Sequence, residues 1–136
     1  MVKVWYENPA GAAPAQGLYS HIGCVEGGRT FFVAGQLAVG ASGEIVGAGD
    51  FDAQFLRVFA NMRDVLRGIG LDFDAVVKFT TYLVHSQDIG NFMRLRADHF
   101  PKWFPGGVFP PNTLLVVDRL VKEEFLFEVE AIVGAP

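Results

Sequence analysis

The sequence predicts an α+β domain, one β-sheet covered on a single face by two helices. Three observations carry this. Val77, Phe79, Thr81 and Leu83 alternate with Lys78, Thr80 and Tyr82, the period of a strand. Phe55, Phe59, Met62, Leu66 and Ile69 recur at helical spacing, while Gln54, Arg57, Asn61, Arg63, Asp64 and Arg67 fall elsewhere. The elements follow in the order β-β-α-β-α-β-β, and strands alternating with two helices build a sheet with both helices on one side. The other face then needs a cover, and a second subunit is the expected one.

The elements are justified in turn. Residues 1–18 open with a short strand, Val2–Tyr6, then loosen into an arm where Pro and Gly exclude regular structure. Tyr19–Glu26 and Thr30–Val39 read as strands joined by a Gly27–Gly28 hairpin turn. Gly35 interrupts the second of them, as at a bulge or a close approach of another group. Asp50 is the expected N-cap of the first helix and Gly70 its stop. Asp74–Val84 forms the next strand. Phe92–Phe100 forms a shorter helix that Pro101 is expected to end. Two apolar runs, Thr113–Leu120 and Phe125–Val133, flank the charged break Lys122–Glu124 and read as strand, turn and strand.

The last run is unusual. Glu128 and Glu130 stand among Phe127, Val129, Ala131 and Ile132, and at period two they share one face. A carboxylate there is costly to desolvate unless it is paired, hydrogen-bonded or wet, so at least one should face solvent or a cleft.

Composition narrows the classes. A chain of 136 residues reads as one domain, 1–136, able to bury roughly two thirds of its unfolded surface without metal or disulfide. Apolar residues make up 51% and charged residues 19%, with a mean hydropathy of +0.29. That surplus points to a subunit interface. No run is long enough to span a membrane, and the N-terminus lacks the order of a signal peptide. A net charge of −4 argues against nucleic-acid binding. The single cysteine, Cys24, is expected to be a small core residue in a reducing cytoplasm. His21, His85 and His99 lack partners at ligand spacing, and no metal or cofactor motif is present; His21 is kept in view because it neighbours Tyr19.

Several segments together resemble the RidA/YjgF family of reactive-intermediate deaminases: Gly17-x-Tyr19, Phe32-Val33-Ala34-Gly35-Gln36, Val77-Lys78-Phe79-Thr80-Thr81 and Glu128-Val129-Glu130-Ala131-Ile132. The resemblance runs from about Gly17 to Val133. It implies a chorismate-mutase-like mixed sheet, assembly as a homotrimer, and a small-molecule cleft at each subunit interface, with no cofactor. It also implies hydrolysis of enamines and imines such as 2-aminoacrylate to a 2-keto acid and ammonia. Carried over by position, Glu128 matches the water-positioning glutamate and Tyr19 the cleft tyrosine, while Gly35 and Gln36 match the G-Q pair. The family's substrate-binding arginine is replaced by Asn112, its serine by Ala34, and its small or cysteine position by Leu114. A neutral amide cannot make the charged fork that grips a carboxylate. The expected substrate is therefore not of the 2-aminoacrylate type. Arg119 or Lys122 could supply a substitute cation or be solvated surface charges. A non-catalytic trimer that binds a small metabolite is the alternative reading. Ribonuclease activity, attached to some family members, is disfavoured by the acidic charge.

Overall fold

The computed structural model describes residues 3–135. In chain order the elements are β1 (Lys3–Glu7), β2 (Ile22–Glu26), β3 (Arg29–Gln36), α1 (Phe51–Gly68), β4 (Val76–Leu83), α2 (Asp88–Trp103), β5 (Asn112–Val116) and β6 (Phe127–Ala135). Four strands form a mixed sheet in the order β3–β6–β4–β5, with β4 and β5 parallel and the other pairs antiparallel. The run expected to begin at Val2 begins, within the described residues, at Lys3; Val2 lies outside them.

Both helices cover the same face. Phe55, Val58, Phe59, Met62 and Leu66 of α1 and Phe92, Leu95 and Phe100 of α2 meet Phe79 and Leu83 of β4 and Phe127, Val129, Ala131 and Val133 of β6. Phe59 is the hub, with ring contacts to Phe55, Phe73, Phe79, Phe100, Trp103 and Phe127. The helix signals behave as their chemistry requires. The Asp50 carboxylate accepts from the Ala53 N–H at 3.1 Å. Gly70 takes φ +78°, and its N–H and that of Leu71 close on the carbonyls of Arg67 and Leu66, a Schellman ending.

Several expectations are corrected. The Gly27–Gly28 turn forms, both residues having positive φ, but it does not join a hairpin. β2 pairs with β1 as a separate two-stranded ribbon, and β3 takes β6. The Tyr6 hydroxyl donates to the Val76 carbonyl at 2.5 Å and ties this ribbon to the start of β4, so the chain covers part of its own sheet end. Strand β2 starts at Ile22, not Tyr19. The Ser20 and His21 N–H groups are spent on the Phe109 carbonyl and the Asn8 side chain instead of a ladder. β3 ends at Gln36 and β5 at Val116, and β4 lies between β5 and β6. Pro101 stands inside α2, because the flanking Phe100, Trp103 and Phe104 keep burying their rings past it. Ile69 is 45% exposed beyond the last turn of α1. Gln54, placed among polar surface positions by its type, is fully buried. Its amide donates to the Gly47 and Glu124 carbonyls and accepts from the Leu126 N–H, satisfying loops that would otherwise bury open backbone groups. Cys24 is no core residue. It lies half-exposed on the ribbon, and its thiol donates to Glu7 at 3.1 Å, which raises its pKa.

Candidate active site

The face away from the helices carries the chemistry. Period two puts Glu128, Glu130 and Ile132 of β6 there, opposite Tyr82, Thr80 and Lys78 of β4. Both glutamates are half-buried. They do not have equal surroundings. The Tyr82 hydroxyl donates a short hydrogen bond to Glu130 and fixes that carboxylate. Among the described residues Glu128 accepts no side-chain hydrogen bond. Burial, and next the neighbouring Glu130 charge, push its carboxyl pKa up. A carboxylate raised this way is a better proton acceptor at neutral pH than a solvated one.

Gly35 provides the room. The ladder between β3 and β6 slips between Val33 and Gln36, and there a Cβ on Gly35 would collide with the Glu128 carboxylate. The Gly35→Ala variant should therefore force the carboxylate aside. A displacement of about 1 Å costs on the order of 10²-fold in a positioned group, so turnover should fall by that order with little change in circular dichroism. Ala34 lines a shallow hollow of about 300 Å³ with Phe32, Lys78, Thr80, Glu130 and Ile132. Phe32 on this face is 78% exposed. The Gln36 amide turns back onto the Ala34 carbonyl at 3.1 Å.

The other candidates lie elsewhere. Asn112 pairs with Phe79 and Leu114 with Thr81, so both belong to the helix side of the edge strand β5. The Thr81 hydroxyl donates to the Asn112 side-chain oxygen at 2.6 Å, and Leu114 packs on the core. Tyr19 accepts from the Gln16 N–H at 3.1 Å and lines a cavity of about 480 Å³ with Asn112, Thr113, Lys78 and Ile132. His21 reaches the Ala13 carbonyl at 2.6 Å and meets Tyr19 edge-on. Within one chain the candidates thus fall into two groups: Glu128, Gly35 and Ala34 on the open face, and Tyr19, Asn112 and Leu114 at the helix-side edge and sheet end.

Two residues, Tyr82 and Arg96, escaped the sequence reading, and Arg119 was weighed there only as a substitute cation or a surface charge. Tyr82 was legible as a face-mate of Glu128 by period alone. Arg119 lines a hollow of about 380 Å³ with Tyr82, Glu128 and Glu130, but its guanidinium is turned to Glu123 and to the Leu120 and Val121 carbonyls. Arg96 is buried on α2, and its signal was its spacing, four residues from both Phe92 and Phe100 on the apolar stripe. Among the described residues no group of three or more His, Cys, Asp or Glu could hold a metal ion. No helix is long and apolar enough to cross a membrane.

A mixed sheet with two helices on one face, and a half-buried glutamate over a glycine bulge on the other, defines the Rid class of small α+β proteins. The chain belongs to the RidA/YjgF family: the family profile described as Endoribonuclease L-PSP matches residues 10–135. Protein DfrA of Myxococcus xanthus is 32% identical over 89% of this chain and 88% of its own length. A human 2-iminobutanoate/2-iminopropanoate deaminase is 31% identical over 71% of this chain and 69% of its own. Among solved structures, the Rid protein YyfB of Yersinia pestis, described as of unknown function, superposes with a TM-score of 0.86. It is 34% identical and the match covers 97% of this chain and 98% of that one.

Proposed function

We propose that this protein is a homotrimeric imine/enamine hydrolase whose site is completed between two copies. The observation that carries the reading is the split just described. Glu128 stands half-buried and without a side-chain hydrogen bond over Gly35, on a face bearing the exposed Phe32, while Asn112 and Leu114 are in register with the helix-side Phe79 and Thr81 and Tyr19 lines a separate cavity at the sheet end. A second copy set against the open face would bring the two groups into one cleft and cover Phe32. In that cleft Glu128 takes a proton from water as the water oxygen adds to the C=N carbon, and that proton passes to nitrogen to give the carbinolamine. Glu128 then takes the carbinolamine hydroxyl proton as the C=O bond forms and delivers it to nitrogen as the C–N bond breaks, giving a carbonyl compound and ammonia. The deaminase name of the human relative supports the reaction class. Asn112, which carries no charge, favours a substrate anchored otherwise than 2-aminoacrylate. The single cysteine fits a reducing cytoplasm.

The test is to generate imines in situ from a panel of neutral and acidic amino acids and follow their hydrolysis. Acceleration of at least one by the wild-type protein is expected. No acceleration by wild type or by Asn112→Arg would end the reading. A trimer that binds without turnover is favoured by one specific feature, the replacement of three cleft positions by Asn112, Ala34 and Leu114. It would show as ligand-dependent thermal stabilisation with no product. The ribonuclease description of the family is poorly matched by a net charge of −4.

A further inference from the structure

Glu128 and Glu130 are two acids on one strand face, and they are not held alike. Tyr82 of β4 stands directly across the ladder from Glu128, and Thr80 across from Glu130. The Tyr82 hydroxyl nevertheless reaches diagonally and donates to Glu130, not to the residue opposite it. Tyr82, Glu128 and Glu130 all line the hollow of about 380 Å³, so both carboxylates open onto the same space.

The other ionisable groups on this side leave the trio to itself. Lys78 lies further along the same face of β4, opposite Ile132, and Arg119 comes from the connection between β5 and β6. Among the described residues neither is ion-paired with Glu128 or Glu130, and Arg119 turns to Glu123 and to the Leu120 and Val121 carbonyls. Strand β3 brings the uncharged Gly35 against the Glu128 carboxylate. Two neighbouring carboxyl groups compete for a proton, and a donated hydrogen bond favours the charged form of the one that receives it. Here Glu130 receives it. The bond to Glu130, then burial and the charges of both acids, raise the Tyr82 pKa, so the hydroxyl remains a donor at neutral pH.

We propose that Tyr82 is a positioning residue that assigns the proton between the two acids: by holding Glu130 as a fixed anion, it leaves Glu128 as the one that takes up and releases the proton. The proposal rests on the reading of Glu128 as the hydrolytic base and adds a division of labour to it. Glu130 supplies the charge that keeps Glu128 receptive to a proton from water. Tyr82 keeps that proton from passing sideways to Glu130 instead of on to the substrate nitrogen. Tyr82 itself gives up no proton in the cycle.

The experiment follows protonation both directly and through turnover. NMR of isotope-labelled glutamate carboxyls in the full chain, assigned with Glu128→Gln and Glu130→Gln, titrates each acid. Over the same pH range kcat/KM is measured, on an imine that wild type hydrolyses, for wild type, Tyr82→Phe, Glu130→Gln and the double variant. In wild type Glu128 should take the first proton as pH falls, and kcat/KM should fall with it along a single acid limb. E130Q still accepts the tyrosine hydroxyl but carries no charge, so the Glu128 titration and the limb should move down by roughly half to one pH unit. Y82F should let Glu130 compete for the proton, spreading the limb into two steps. Added to E130Q, Y82F should shift neither readout further, because Tyr82 acts through Glu130. A first proton on Glu130 in wild type, or a Y82F shift that persists in the E130Q background, would overturn the proposal. So would a lower Tm for Y82F with both readouts unmoved, which would make the bond an interstrand staple and nothing more. Its failure is separable from that of the hydrolase, because the NMR titration needs no turnover. The expected order of titration in a protein that hydrolyses no imine removes the enzyme alone. Hydrolysis with an acid limb indifferent to Y82F removes the proton assignment alone.

Discussion

Glu128→Gln should lower imine hydrolysis by about 10²- to 10⁴-fold, the range for losing a positioned general base, while the folded protein becomes no less stable at neutral pH. The two halves of this expectation have one cause. Glu128 is half-buried beside Glu130 and takes no side-chain hydrogen bond in return, so its ionised form is disfavoured and its pKa lies above that of the unfolded chain. The native state therefore binds the proton more tightly than the unfolded state. Stability contributed by this group is present below the unfolded pKa, about 4.3, and is lost as pH rises through the higher folded value. A glutamine keeps the shape and removes the charge. Its stability advantage over wild type should appear above about pH 5, grow through the raised pKa and then level off, and it should vanish at lower pH where both side chains are neutral. Thermal melts of the two proteins across pH 4 to 8, beside the rate assay, check it. A variant that lost stability at pH 7 would mean that Glu128 is a structural acceptor, and the catalytic assignment would lose its physical basis.

Phe59→Ala should cost about 3–5 kcal/mol, the range for truncating a buried aromatic side chain. Phe59 is 1% exposed and touches rings from both helices, from β4 and from β6. Interiors are packed at crystal-like density, and six neighbouring rings cannot close on the space one of them leaves. Denaturant unfolding at fixed protein concentration measures it, because dissociation of an oligomer would otherwise enter the midpoint. A loss under about 1 kcal/mol would show that α1 does not seat the sheet as described.

How much of this was legible beforehand differs by residue. The Asp50 cap, the Gly70 stop, the α1 stripe and the alternation of β4 could all be read, because each is set by neighbours within a few positions. The common face of Glu128 and Glu130, and the close approach at Gly35, followed from period two and from a glycine inside a strand. Pro101 misled because packing of Trp103 and Phe104 outweighed the breaker. Gln54 misled because polar type was taken for exposure, and Arg96 was not singled out at all. Three buried backbone groups pull Gln54 inward, and ring packing under the Tyr19 loop encloses Arg96.

By itself, then, the sequence determined the period of each element, its caps, and which side chains share a face. These are local consequences of backbone geometry and side-chain sterics. The tertiary structure alone decided which strand pairs with which: β4 inserted between β5 and β6, and the β1–β2 ribbon formed where a Gly27–Gly28 hairpin was expected. Pairing is chosen by contacts between distant segments, which no window of sequence contains. That choice separates Glu128 from Asn112 on opposite sides of the sheet, and it brings Arg96 to Tyr19.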